Sequence, residues 1–151
     1  MLWLATALFG CNAPESDLDP GFTYFQASIS GDDFETSYAG WGIRSFEGER
    51  RLVLVARDFQ DNEILLAVRD TVPGIYLIND TTDLVVAYYK SVEGVELLSE
   101  AREYPATQGL LELDQLRGNW ASGEFFFNCR TAPGEEEVTV LGGRFGVFLI
   151  E

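Results

Sequence analysis

Carboxylates are the side chains that leave most chemistry open in this chain, because it contains no histidine. The 151 residues include 25 Asp and Glu, 10 Lys and Arg, and no His. The common hydrolase triads need a base whose pKa lies near neutrality, and histidine supplies it in Ser–His and Cys–His arrangements. Those arrangements are excluded, as are typical zinc and copper sites. No glycine-rich phosphate loop precedes a helix pattern, so nothing indicates nucleotide binding.

Paired acids are the catalytic arrangement that stays open, because a glycoside hydrolase needs only two carboxylates. Glu112 and Asp114 share one face of a predicted strand, and a hairpin would bring Glu124 near them. An outward-facing polar strand explains the same residues equally well. We therefore expect no enzymatic activity, and a carboxylate-dependent glycan hydrolase is kept as an alternative.

Oxygen ligands for calcium cluster in two predicted loops. Hard cations take several oxygen ligands, and loops can supply them. The candidates are Asp58 and Asp61 in one loop, and Asp80 and Asp83 in another. The EF-hand spacing is missing, and Asp is common in surface turns because it hydrogen-bonds the local backbone. We therefore expect solvated turns with no metal and no cofactor, and these four residues are the calcium candidates.

Exposed aromatic rings are the remaining candidates for a binding site. We expect Trp41, Tyr88 and Tyr89 to contact a ligand, provided that their rings are exposed. Such rings stack on a sugar or line a groove, so a glycan or protein partner would fit them. Core packing is the expected role of Trp120 and the phenylalanines.

The N-terminus carries a different chemistry, centred on Cys11. Residues 2–9 form an apolar run that is too short to cross a bilayer at about 1.5 Å per residue. The run is typical of a secretory signal, although no Lys or Arg precedes it. It ends in Leu8-Phe9-Gly10-Cys11, which resembles the lipobox of bacterial lipoproteins, in which the cysteine receives a diacylglycerol before the signal is cleaved. The resemblance implies a signal peptide over residues 1–10 and lipidation of Cys11.

Residues 11–21 are predicted to be a tether. The segment is acidic and contains two prolines, so we expect it to be extended and unpaired. A lipid anchor and a tether, followed by a folded domain over residues 22–151, predict an outer-membrane lipoprotein that faces the periplasm or the outside.

The second cysteine, Cys129, lies in register with Phe125 and Phe127, which predicts a buried, unreactive thiol. Acylation of Cys11 would leave it without a disulfide partner. Without acylation, a Cys11–Cys129 disulfide is open to the chain in an oxidising compartment.

The body of the chain has the period-two pattern of strands. Short strands with turn signals between them predict an all-β domain, an antiparallel β-sandwich or flattened β-barrel of about 8–10 strands. Residues 92–102 also suit a short helix, and Gly142-Gly143 predicts a bulge. The predicted strands cover residues 25–30, 34–36, 52–56, 64–68, 75–78, 84–89, 110–113, 124–130, 138–140 and 144–150.

Several of these strands resemble a family of small envelope lipoprotein domains common in Bacteroidota. Residues 25–34 look like the opening strand, turn and second strand of that family, and residues 73–77 look like its Gly-x-Tyr strand start. Residues 122–127 and 138–147 are similar to its closing strand pair. The resemblance covers residues 22–150 and implies an envelope lipoprotein with a sandwich or barrel-like domain. It implies no activity, so it transfers no catalytic residue.

The net charge of -15 bears on possible partners. Such a surface repels phosphate backbones and anionic lipid headgroups, so we expect no nucleic-acid partner. We expect a non-enzymatic binding or interaction domain held to the membrane by its lipid anchor, with exposed aromatics or a partner-sized apolar patch. The alternative is a lipocalin-like carrier of a small apolar ligand, with a cavity of about 300–1,000 Å³. Large inward side chains at Phe25, Phe125, Phe127 and Phe145 favour a filled sandwich.

Overall fold

Alternating apolar residues build the strands that the period-two pattern predicts. A computed structural model describes residues 23–97, 100–131 and 136–150, and these residues are all-β, which confirms the predicted fold class. The predicted signal peptide, the tether and Cys11 lie outside the described residues. The strands are β1 (Tyr24–Ile29), β2 (Asp32–Asp33), β3 (Thr36–Phe46), β4 (Glu49–Asp58), β5 (Glu63–Val68), β6 (Gly74–Asn79), β7 (Val85–Ser91), β8 (Arg102–Arg117), β9 (Trp120–Arg130) and β10 (Glu137–Phe148).

The strands form one antiparallel, strongly curled sheet in the order β2-β1-β10-β9-β8-β7-β5-β4-β3. The long strand β8 connects its two halves. Residues 102–105 of β8 pair with β7, whereas residues 108–113 pair with β6 on the same side. The two halves are drawn together where Trp41 of β3 meets Leu149 in a parallel bridge. The result has the form of a sandwich or flattened barrel.

Aromatic side chains fill the space between the two halves. The four phenylalanines predicted to point inward are all buried. The ring centroid of Phe125 lies 5.4 Å from that of Phe25 and 6.2 Å from those of Phe127 and Phe145. Leu54 and other aliphatic residues of β4 and β5 belong to the same cluster. The interior is therefore packed by large side chains from both halves.

The predicted bulge is confirmed in β10, where the register with β9 shifts between Val140 and Gly143. Gly142 adopts a φ of +62°, which favours glycine. A Cβ on Gly143 would lie 2.6 Å from the ring of Phe125, so the ring needs a glycine opposite it. The segments predicted as strands at residues 138–140 and 144–150 belong to one strand, β10, which runs through the bulge.

Two other regions differ from the sequence prediction. Residues 36–46 form strand β3, which the alternation did not predict because Gly40 and Gly42 interrupt it. Near residues 92–102, where the sequence left a short helix open, residues 93–94 form a turn, Glu100 has a 3₁₀ conformation and Arg102 opens β8. Among the described residues, no helix has the length and apolarity needed to cross a membrane.

Two neighbouring phenylalanines of β9 provide a matched test of this fold. Phe127 is fully buried, whereas Phe126 points out of the sheet and is 48% exposed. We expect Phe127→Ala to lower the free energy of unfolding by about 3–5 kcal/mol, because it leaves a cavity in the core. Phe126→Ala should change it by only about 0.5 kcal/mol. Urea denaturation measures both values, and equal losses would contradict the assigned faces of β9.

Candidate functional site

The indole of Trp41, one of the three predicted ligand-binding aromatics, is part of the interior. It is 5% exposed, and its Nε1 donates a hydrogen bond to the Asn119 carbonyl oxygen at 3.1 Å. The backbone oxygen of Trp41 accepts a bond from Ile150 N at 2.7 Å. Trp41 thus ties β3 to the chain segments around β9 and β10, and its ring does not have the exposure that stacking on a sugar requires.

Tyr88 and Tyr89 point to opposite faces of β7. Tyr89 is buried, with its ring centroid 5.9 Å from that of Tyr104. Tyr88 is half-buried on the outer face, where its hydroxyl donates to Glu63 Oε1 at 2.6 Å and Lys90 Nζ lies 5.3 Å from its ring centroid. Burial and the bond to Glu63 raise the pKa of Tyr88. The structure does not bring the three predicted aromatics together on one surface.

The first predicted calcium loop uses its main carboxylate to hold a turn. Asp58 is buried, and its Oδ1 accepts hydrogen bonds from the backbone nitrogens of Gln60 and Asn62, both at 2.9 Å. Its Oδ2 accepts a bond from Asn62 Nδ2 at 2.8 Å. Asp61 lies within the same turn with a φ of +69°. The oxygens of Asp58 are thus engaged in closing the β4–β5 hairpin.

The second calcium loop is also held by local bonds and ion pairs. Asn79 Oδ1 accepts bonds from the backbone nitrogens of Thr81 and Thr82. Asp83 pairs with Arg69, and Asp80 is exposed. Within the part of the chain that the structure describes, no three Cys, Asp or Glu side chains are grouped so that they could hold a metal ion.

The acids considered for glycan hydrolysis lie on the outer face of the β8–β9 pair. Glu112 and Glu124 stand directly opposite each other in the antiparallel register. Glu124 Oε1 lies 3.3 Å from Arg144 Nε on β10. Asp114 falls where the register shifts between residues 113 and 115. The first two acids border a shallow depression of about 350 Å³ that opens on this face.

The same outer face carries an apolar strip that sequence reasoning missed. Leu77 of β6 pairs with Leu110 of β8, and Leu110 pairs with Phe126 of β9. Leu141 follows at the β10 bulge, beside Phe126. We call Leu77, Leu110, Phe126 and Leu141 the outer apolar row. Leu77 is 62% exposed and Leu141 50% exposed. The available signal was the run of three phenylalanines at 125–127, because alternation places at least one of three consecutive strand residues on the outer face.

On the outer face of β4, β5 and β7, by contrast, the apolar residues are covered. Val53, Leu65 and Ala67 form a small cluster there, and all three are buried. Arg51 is buried on the same face and donates to the carbonyl oxygens of Asp83 at 2.6 Å and Ala67 at 3.4 Å. That face is covered by side chains of the chain itself, whereas the outer apolar row keeps half or more of Leu77 and Leu141 exposed.

An acidic depression of about 400 Å³ lies at one end of the fold. Tyr104 on its wall donates a hydrogen bond to Glu136 Oε2 at 3.0 Å. Its buried polar residues already have partners, since Asp58 holds the hairpin turn and Ser91 Oγ accepts from Glu93 N. The carboxylates that line it are Asp32, Asp33, Asp58, Glu93 and Glu136.

The thiol of Cys129 is fully buried, as its register predicts. Its Sγ donates to the Val138 carbonyl oxygen at 3.3 Å. Burial raises the pKa of the thiol to about 12, so little thiolate forms at neutral pH. This cysteine contributes to packing between β9 and β10.

Comparisons with known proteins do not point to a function. No family model matches the chain, and neither the curated proteins nor the solved structures give a significant match. The features of the surface, above all the outer apolar row, are therefore the basis for inferring a function.

A substitution at Asp58 distinguishes a structural role of the acidic loops from a calcium-binding role. We expect Asp58→Ala to lower the free energy of unfolding by about 1–3 kcal/mol, because the backbone nitrogens of Gln60 and Asn62 lose their buried acceptor. Asp80→Ala, at an exposed position of the other loop, should change it by only about 0.5 kcal/mol. Chemical denaturation with and without calcium chloride measures both roles. A calcium-dependent rise in stability that Asp58→Ala removes would contradict a purely structural role.

Proposed function

We propose that this chain is a non-enzymatic interaction module of the bacterial cell envelope that contacts a partner through the outer apolar row. The exposed row itself is the observation that carries the proposal. Soluble chains seldom leave contiguous large apolar side chains in water unless the surface has a binding role. The row spans four neighbouring strands, which corresponds to about 14 Å at the usual strand spacing.

The energy available from this surface suits a specific contact. Moving a Leu or Phe side chain from full exposure to full burial contributes roughly 1.5–3 kcal/mol. Leu77, Phe126 and Leu141 are about half exposed in the chain alone. Burial of each against a partner would therefore add a part of that free energy to binding. Ile75, exposed on the same face of β6, extends the surface along the strand. These side chains support a modest apolar interface.

The envelope location rests on the N-terminal sequence. The lipobox-like segment ending in Cys11 and the acidic residues that follow support a lipid anchor joined to the domain by a tether. The similarity to small Bacteroidota lipoprotein domains agrees with this assignment. A displayed domain with an apolar row on one face would then meet its partner close to the membrane that holds it.

A carrier of a small apolar ligand has less support than an interaction module. The carrier needs an interior cavity, and the space between the two halves of the sheet holds Phe25, Phe125, Phe127 and Phe145. The apolar side chains left in contact with water lie on the outside of the sheet, where they favour a partner and not an enclosed ligand.

Lipidation is tested directly at Cys11. In a Gram-negative host fed a labelled fatty acid, the full chain should incorporate label and sediment with membranes, because the acyl chains insert into the bilayer. Cys11→Ser should abolish both labelling and sedimentation, and Cys129→Ser should leave them unchanged. Labelling that survives Cys11→Ser would rule out the proposed anchor.

The interaction surface is tested by placing a photo-crosslinking amino acid at position 126 of the full chain in cells that produce it. Position 126 should give a discrete crosslinked product, which Leu77→Ser combined with Leu141→Ser should eliminate by removing apolar contact. Phe59 is exposed in the β4–β5 hairpin outside the row, so the same label there is the control. Failure to crosslink at 126, or an equal yield at 59, would count against the row as an interface.

A further inference from the structure

We infer that the partner of the outer apolar row is a cationic amphipathic protein segment, in which Lys or Arg residues accompany the apolar ones. This inference rests on the proposed function and adds the chemistry of the partner. It starts from Glu112 and Glu124, which stand directly opposite each other beside the row. Like charges at directly opposite positions of neighbouring strands are destabilising, so the chain alone bears a cost there.

The ion pairs of this face relieve that cost incompletely. Arg144 lies 3.3 Å from Glu124, and both side chains are more than half exposed. Glu112 is half-buried, and the described part of the chain supplies it with no ion pair. A cation brought by a partner would therefore meet Glu112, which has no ion pair within the described residues, and Glu124, which is paired with Arg144.

The carboxylates are placed so that one ligand can reach them together with the row. Glu112 lies two residues from Leu110 on β8, and Glu124 lies two residues from Phe126 on β9. Residues two apart share a face and are separated by about 7 Å along a strand. A partner with apolar side chains on the row would thus place neighbouring basic side chains over the two acids.

The opposite border of the row carries no charge, which gives the surface a direction. Asn79, Gln108, Asn128 and Thr139 pair in register across the same four strands. The other border is formed by Ile75, Glu112, Glu124 and Arg144, so all the charged side chains next to the row lie on one side of it. A bound segment would be oriented with its basic residues toward β8 residue 112 and its neutral polar residues toward residue 108.

The charge of the whole chain argues against a second copy as the occupant. Two copies would each bring a net charge of -15 and would place the same carboxylates at the shared interface. Anionic lipid headgroups are repelled for the same reason. A basic segment is attracted at long range and matched at short range, so charge complementarity selects it.

The test uses the full chain and a fluorescein-labelled amphipathic peptide in which Leu and Phe alternate with Lys. A twin peptide replaces every Lys with Glu and keeps the apolar residues. By fluorescence anisotropy we expect the lysine peptide to bind at low salt, more weakly at high salt, and at least about tenfold more tightly than its twin.

Matched variants distinguish binding at the outer apolar row from general attraction of the lysine peptide to the negative charge of the chain. Phe126→Ser, and separately Glu112→Gln combined with Glu124→Gln, should each weaken binding of the lysine peptide about tenfold. The controls are Phe59→Ser, and Glu35→Gln combined with Glu100→Gln, all at exposed positions outside the row. These should keep the affinity within about twofold. Equal weakening by the two double Gln variants would show bulk attraction and overturn the inference.

Other outcomes distinguish this inference from the proposed function. Equal binding of both peptides that Phe126→Ser removes would keep the row as an interface and overturn the cationic partner. If neither peptide binds while the position-126 crosslink is intact, the row also remains an interface and the cationic partner is overturned. Sedimentation of the chain alone as a dimer that Phe126→Ser dissociates would overturn the inference in favour of a second copy.

Discussion

The register between β8 and β9 is the constraint on which the rest of the structure depends. Leu111 pairs with Phe125 inside the fold, and the next pair, Glu112 with Glu124, lies outside. Because side chains alternate, a slip of one residue would bury acids and expose the core. Gly123 adds to this specificity, since a Cβ there would lie 2.1 Å from the Glu112 carbonyl oxygen. The same register that packs the aromatic interior therefore also sets which residues reach the outer surface.

Much of the fold could be predicted because its signals are local. The polar loop at residues 58–62 predicts the β4–β5 hairpin, and Gly142-Gly143 predicts the β10 bulge. Strand β3 lacks such a signal, since Gly40 is there to leave room for Ile150, a residue distant in sequence. The start of β8 also lacks a strand signal, since the sequence predicts a strand only over residues 110–113. Pro105 is unfavourable in a strand interior, yet it pairs with β7 where β8 passes from one half of the sheet to the other.

The candidate site was harder to predict because exposure is a tertiary property. Trp41 has the residue type of a ligand-binding aromatic, but the curl of the sheet places it where β3 approaches β10. Tyr88 and Tyr89 follow each other on one strand and must face opposite ways. Phe126 reads as core in a run of three phenylalanines until the register assigns its neighbours inward. The sequence predicts Glu124 near Glu112 and Asp114, but the position of Glu112 and Glu124 beside an apolar row depends on the pairing of four strands.

The two outer faces of the sheet differ in charge balance and in exposed apolar surface, and this difference is the basis for inferring the chemistry of a partner. On one face, Glu63 is matched from both sides, with Arg57 Nε at 2.8 Å and the Tyr88 hydroxyl at 2.6 Å. There the charges are balanced and the apolar residues beneath are covered. On the other face, the carboxylates oppose each other and the apolar side chains beside them stay in water. This surface lacks cover, and of its two carboxylates only Glu124 has a counter-charge, from Arg144. It is complementary to a segment that brings both apolar and basic side chains, and a cationic amphipathic segment is the simplest such chemistry.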